Sequence, residues 1–278
     1  MLNAVPSGRT PFRAAVLGSP VSHSLSPVIH QAGYAAAALH DWCYERIECT
    51  VDELEPFVAS RDEQWAGLSV TMPLKEQALA IADDATDVAR VLGSANTLVL
   101  RDGRRVADNT DAPGMVDALA DALLPSHPHI AILGAGGTAR AALAAAVSLG
   151  AEEVSVYARR LEAIGRLEPV ASQLGVRLRA VPWRDAAEAG RADLVISTVP
   201  AVAATSADIA WRDDCMLFDV VYDPWPTPLA TAAAAAGCRV INGLELLLAQ
   251  GVRQFELFCG VPAPASHMRR ALYASVGK

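Results

Sequence analysis

The chain has 278 residues, 52% of them hydrophobic, and a formal net charge of −8. That length accommodates two domains, and that apolar content supports a sizeable core and excludes wholesale disorder. The acidic balance excludes a general affinity for nucleic acid or an anionic membrane, so an anionic ligand must be held by local cations. The five cysteines, Cys43, Cys49, Cys215, Cys238 and Cys259, are dispersed without a CxxC pair or zinc-type spacing. That pattern fits reduced thiols in the cytoplasm and predicts no metal site. No apolar run approaches the roughly 18 residues that span a bilayer. The segment from Met1 to Phe12 lacks the apolar core of a signal peptide, and Met1 to Thr10 reads as a loose extension.

In chain order, Arg13 to Gly18 reads as a buried strand ending at a glycine turn. Pro27 to Leu39 follows as a helix, with Ser26 as N-cap and Pro27 at the first helical position. Trp42 to Cys49 and Trp65 to Val70 are strands around a helix at Val51 to Ser60, and Pro73 opens another helix. Ala95 to Arg101 and Arg104 to Asp108 form a hairpin across Asp102-Gly103. This alternation predicts a first α/β domain over residues 11–111.

A second α/β unit is predicted over residues 112–243, with Ala112 to Leu124 as its first helix. Strands are expected at His129 to Leu133, Glu153 to Tyr157, Arg177 to Val181, Leu194 to Ser197, Met216 to Val220 and Arg239 to Ile241. The intervening helices are Thr138 to Leu149, Arg160 to Leu174, a short one at Trp183 to Ala189, and Leu229 to Ala236. Together they make a doubly wound parallel sheet of Rossmann type. Residues 244–278 then carry two helices, Leu244 to Cys259 and Ser266 to Ser275, expected to pack back on the first domain.

The turn Gly134-Ala135-Gly136-Gly137-Thr138-Ala139 matches the dinucleotide pattern in its alanine-terminated form. Gly134 permits the tight turn, Gly136 lets backbone approach a pyrophosphate, and Ala139 allows close helix–strand packing. The helix N-terminus offers free N–H groups and partial positive charge to phosphates. An NAD site places an acid roughly 20 residues on, at the end of the next strand. Here that strand runs into Ala158-Arg159-Arg160. Arginine forks match phosphate oxygens and stay charged, so NADP is predicted, with Arg159 on the 2′-phosphate and Arg160 assisting. Glu162 is the nearby carboxylate that would compete for the ribose.

Gly18-Ser-Pro-Val-Ser-His23-Ser24-Leu-Ser26-Pro27 sends two hydroxyls to one side of a strand-ending turn, as a polyhydroxylated or carboxylate ligand requires. Ser26 alternatively serves only the helix, and His23 is read as structural. Thr71-Met-Pro73-Leu-Lys75 puts a cation at a helix N-terminus, where the dipole disfavours it. Lys75 therefore needs a carboxylate or a function; the alternative is a surface lysine. Asp111, in Asp108-Asn109-Thr110-Asp111 at the domain crossing, is its expected partner, where a cleft would bind a ligand.

With these motifs in order, the chain resembles the shikimate dehydrogenase family from about Ala14 onward. Ser69-Val-Thr71-x-Pro-x-Lys75, Ala95-Asn96-Thr97, Asn109-Thr110-Asp111, Ser197-Thr-Val-Pro200, Asp219-Val-Val-Tyr222-Asp-Pro and Asn242-Gly243-Leu-x-x-Leu-x-x-Gln250 carry the likeness. The resemblance implies NADPH-dependent reduction of 3-dehydroshikimate to shikimate. It implies that Ser24 and Ser26 hold the carboxylate, and that Thr71, Asn96, Tyr222 and Gln250 surround the ring. Lys75 and Asp111 form the catalytic pair. Gly134, Ala135, Gly136, Gly137 and Thr138 hold the pyrophosphate, with Val220 and Gly243 near the nicotinamide. Two domains facing a cleft imply closure that excludes water. The family often has Asn at the place of Ser69, Asn-Arg-Thr at Ala158-Arg159-Arg160 and Asp at Asn242. A quinate or aminoshikimate dehydrogenase on the same scaffold, or a non-catalytic NADP sensor, are the competing readings. Monomer and homodimer both stay open.

Overall fold

In the computed structural model, residues 11–204 and 208–277 are described, so the predicted extension at Met1 to Thr10 lies outside them. The chain divides into two compact units. The first takes the chain up to Thr86, then Ala95–Asp108 and the chain from Gly251; the second takes Asp87–Ser94 and Asn109–Gln250.

The first unit holds strands β1 (Phe12–Gly18), β2 (Trp42–Glu48), β3 (Trp65–Val70), β4 (Asp84–Ala85), β5 (Thr97–Arg101) and β6 (Arg104–Asp108). Their order is β2-β1-β3-β5-β6-β4. β1 pairs parallel with both β2 and β3, whereas β5 runs antiparallel to β3 and β6. Ala14 to Gly18 is buried throughout because that strand is central and covered on both faces. The edge strand β2 instead carries Glu45, Arg46 and Glu48, charges that blunt an open edge. Helices α1 (Ser26–Ala36), α2 (Val51–Ala59), α3 (Lys75–Ala80) and α12 (Ala265–Ser275) complete the unit with the C-terminal part of α11 (Gly243–Cys259). A Cβ on Gly67 would overlap the Phe258 ring, so bare backbone of β3 is what lets α11 approach.

The second unit holds β7 (Ile130–Leu133), β8 (Glu153–Ala158), β9 (Arg177–Pro182), β10 (Leu194–Ser197), β11 (Met216–Asp219) and β12 (Arg239–Ile241). All pairs are parallel, in the order β12-β11-β10-β7-β8-β9, the doubly wound arrangement expected. Side-chain alternation splits the core in two. Ile130, Ile132, Val154, Val156, Leu194, Ile196 and Phe218 pack on one face. Ala131, Leu133, Tyr157, Val195 and Leu217 pack on the other. The register Leu133↔Tyr157, Ser197↔Leu133 and Ser197↔Asp219 lines up the carboxyl ends of four strands. Ligands bind at such ends in open α/β sheets.

Several local expectations change. Ser26 is the first residue of α1, not its cap; Leu25 precedes it with no side-chain capping bond. The Ser24 Oγ accepts from the Ser26 N–H at 3.3 Å, so the hydroxyl serving that helix start is Ser24. The helix expected to open at Pro73 begins at Lys75. The long helix expected at Arg160 to Leu174 is two, α7 (Leu161–Gly165) and α8 (Glu168–Leu174). Pro169 explains the break, since it is tolerated in a first turn and not in a helix interior. β4, helix α4 (Asp87–Leu92) and the short helix α9 (Ala201–Ala204) after β10 were not anticipated. Among the described residues, no helix is long and apolar enough to cross a membrane.

Candidate active site

The nucleotide turn follows β7. Gly134 has φ +103°, and a Cβ there would stand 2.6 Å from Thr198 Oγ1. Its N–H donates to Tyr157 O at 2.8 Å, and the Thr198 hydroxyl donates to Leu133 O at 2.9 Å. Gly136 precedes helix α6 (Gly137–Ser148) in extended conformation, and nothing lies within 4 Å of where its Cβ would be. The bare turn and the helix N-terminus thus leave a cradle that side chains would fill. Ala139 is fully buried beneath it. Thr138 is the second residue of α6.

A cleft of about 230 Å³ adjoins this turn, lined by Gly134, Gly136, Arg159, Arg160, Arg166 and Trp183 among others. Arg159 and Arg160 are exposed at the end of β8, as an anion site requires. Arg166 and Trp183 were not singled out from sequence. Arg166 follows α7, whose single short turn of helix returns the chain to the cleft, and Trp183 follows β9. The cradle and three arginines fit a dinucleotide that carries an extra phosphate.

At the end of β11, Asp219 is 1% exposed and accepts from the Thr227 hydroxyl at 2.7 Å and the Val221 N–H at 3.2 Å. Burial pushes its carboxyl above the usual range, against those hydrogen bonds. Thr227 also caps helix α10 (Pro228–Ala235) through Ala230 N. Asp219 thereby brackets the loop bearing Val220 and Tyr222, a role its place in the motif had not revealed. A Cβ on Gly243 would overlap Val220 O, so these two predicted neighbours of the nicotinamide do meet, backbone to backbone.

In the same unit, Asn109 Oδ1 accepts from Asp111 N at 3.1 Å and Ala112 N at 3.4 Å. Its Nδ2 donates to Ser94 O at 3.0 Å. Asp111 thus starts helix α5 (Asp111–Ala118), where the dipole favours a carboxylate. Gly114 packs on the Gln250 backbone, and Gln250 Nε2 donates to Leu247 O of its own helix at 2.7 Å.

In the first unit, Ser24 Oγ lies 3.2 Å from Ser26 Oγ, and the Arg46 Nε donates to Ser24 O at 2.6 Å. Gly18 leaves room for Thr71, whose methyl group a Cβ there would overlap. Lys75 is the first residue of α3, and its carbonyl accepts from Ala95 N at 2.8 Å, which joins it to the Ala95–Asn96 segment. Behind these residues, Ser69 is 4% exposed and bonded to Tyr44 and Gln254, both at 2.6 Å. Its hydroxyl is engaged within the protein. Gln254 was missed; it stands one helical turn after Gln250.

His30 is fully buried and stacked on Tyr44, with ring centroids 4.0 Å apart. Neither ring nitrogen has a hydrogen-bond partner, and burial pulls its pKa down to about 3. The unfolded chain takes up this proton near the ordinary histidine pKa of about 6.5, whereas the folded chain resists. Stability is therefore full above that pH and falls as pH drops. Relative to His30→Phe, the protein should lose about 2 kcal/mol between pH 7 and pH 5 in urea unfolding. Parallel pH dependence of the two proteins would refute this.

Residues 16–98 match the model of the shikimate dehydrogenase substrate binding domain, and residues 243–273 that of the shikimate 5′-dehydrogenase C-terminal domain. Residues 129–215 match a model described as NADP oxidoreductase, coenzyme F420-dependent. The shikimate dehydrogenase (NADP(+)) of Caulobacter vibrioides is 39% identical, over 91% of this chain and 92% of its own. The Mycobacterium tuberculosis shikimate dehydrogenase structure shares 44% identity at TM-score 0.86, covering 95% and 100% of the two chains. The shikimate 5-dehydrogenase of Thermus thermophilus, solved with NADP(H) and shikimate, shares 31% identity at TM-score 0.84, over 95% and 99%. The likeness thus runs through the serine turn, the lysine helix, the glycine cradle and the final helices alike, and the chain belongs to the shikimate dehydrogenase family.

Proposed function

We propose that this chain reduces 3-dehydroshikimate to shikimate with NADPH. The observation that carries this reading is near full-length likeness to NADP(+) shikimate dehydrogenases, coupled to an arginine-lined cleft beside the glycine turn. Gly134, Ala135, Gly136, Gly137 and Thr138 hold the pyrophosphate through backbone N–H groups and the α6 N-terminus. Arg159, Arg160 and Arg166 take the 2′-phosphate, and Trp183 offers an aromatic face to the purine. Val220 and Gly243 border the nicotinamide. Reduced nicotinamide, when bound, supplies the hydride.

Ser24 and Ser26 donate to the substrate carboxylate. Thr71, Asn96, Tyr222 and Gln250 contact the ring substituents. Lys75 donates a proton to the oxygen on which negative charge grows, and Asp111, the other member of the catalytic pair, accepts from a ring hydroxyl. The unpaired state of all five cysteines accords with a reducing compartment, and we place the enzyme in the cytoplasm on that basis.

The purified chain should reduce NADP⁺ in the presence of shikimate, read as the appearance of reduced-nicotinamide absorbance. Quinate and NAD⁺ should each give much lower kcat/KM. Absence of turnover with shikimate, or a preference for quinate, would overturn the assignment.

A further inference from the structure

We infer that Gln254 is a positioning residue, which together with Thr97 fixes the Asn96 carboxamide so that Asn96 meets its ligand as a hydrogen-bond donor. The main-chain carbonyl of Asn96 is a group that only accepts. It accepts from Val70 N at 2.7 Å and from the Gln254 amide at 3.2 Å. The end of Gln254 beside it must therefore be Nε2, and its Oε1 must face Ser69, 2.6 Å away. Ser69 then has to donate its one proton to Gln254, and Tyr44, 2.6 Å from Ser69, has to donate to Ser69. Burial pushes the Tyr44 phenol well above its usual pKa, so that proton stays in place.

On the other side, Gln254 Nε2 also donates to Thr97 Oγ1 at 2.9 Å. The Thr97 proton is thereby left for Asn96 Oδ1, 2.8 Å away. Every proton in this run points the same way, and the run ends on the Asn96 carboxamide oxygen. With Oδ1 facing Thr97, Nδ2 is turned away from it. Asn96 therefore presents the donor end of its carboxamide, which recognises an oxygen lone pair. Ser69, Asn96, Thr97 and Gln254 are each at most 4% exposed, so water does not compete for these bonds.

This inference rests on the proposal that Asn96 is a ring ligand. It is tested with Thr97→Val and Gln254→Met, near-isosteric changes that remove donors, and with Thr97→Ser, which keeps the hydroxyl. The first two should raise KM for shikimate by about 3–10-fold while leaving KM for NADP⁺ unchanged. Thr97→Ser should stay close to the parent. In an Asn96→Ala background, Thr97→Val should have no further effect on KM, because it acts through Asn96. An unchanged KM, an equal rise in the Asn96→Ala background, or parallel rises for both substrates would overturn the inference. If Gln254→Met does not fold, Thr97→Val alone carries that test. If the parent protein does not oxidise shikimate, the functional proposal fails, and the relay is judged by urea unfolding of the Gln254→Met/Thr97→Val cycle. Additive losses there would sink it.

Discussion

Replacing Lys75 by alanine should lower kcat for shikimate oxidation by about 10²–10⁴, the range supplied by a positioned proton donor or acceptor. KM should change less, because the interaction strengthens only as charge grows on the reacting oxygen. The position of Lys75 adds a second readout. It opens α3, where the helix dipole opposes a cation. A cation kept at that position points to a functional need, so kcat should collapse in a variant that still folds, which a melting curve checks. Asp111→Asn, which keeps the shape but removes the charge, should lower kcat in the same direction. If Lys75→Ala retains near-normal kcat, Lys75 binds or supports and does not transfer a proton.

The parts of this molecule that the sequence declared are those in which local chemistry and fold ask for the same residue. The glycine at position 134 is needed both by its positive φ and by Thr198 at its back. The inner strands of the second unit, β7, β10 and β11, are buried on both faces, so their continuous apolar runs are a strong signal. What stayed hidden depends on return paths of the chain. Arg166 reaches the nucleotide cleft only because α7 is short and the chain turns before Pro169. Read as one long helix, the same segment gave no reason to single Arg166 out. Gln254 looked like one more position of a long helix; its meaning lies in Ser69 and Thr97, far away in sequence. Ser69 itself posed a question, since the family resemblance implied Asn there. Its hydroxyl bonds to Tyr44 and Gln254 within the protein. Ser26 shows the opposite error: Ser-Pro before an apolar run signals a cap, yet the backbone starts the helix one residue earlier and uses Ser24.

The arginines give the other large effect. A charge-assisted hydrogen bond is worth about 1.5–3 kcal/mol, and an arginine fork makes two of them to one phosphate. Arg159 and Arg166 line the cleft, but Arg159 is exposed, so water and salt hold its share toward the lower figure. Arg159→Ala should therefore lower kcat/KM for NADPH by about 10–100-fold. Arg166→Ala should act in the same direction, and the double variant should lose more than either single one. Efficiency with NADH should hardly move, because the group these side chains hold is the phosphate that NADH lacks. The ratio of the two efficiencies is the measurement that matters, since general damage to the cleft would depress both. Raising the salt concentration should narrow the gap between parent and variant, as screening weakens an exposed ion pair. If both cofactors suffer equally from Arg159→Ala, the arginine supports the β8 end and does not read the phosphate. Preference for NADP would then have to reside in Arg160 and Arg166, and the same pair of assays on their variants would show it.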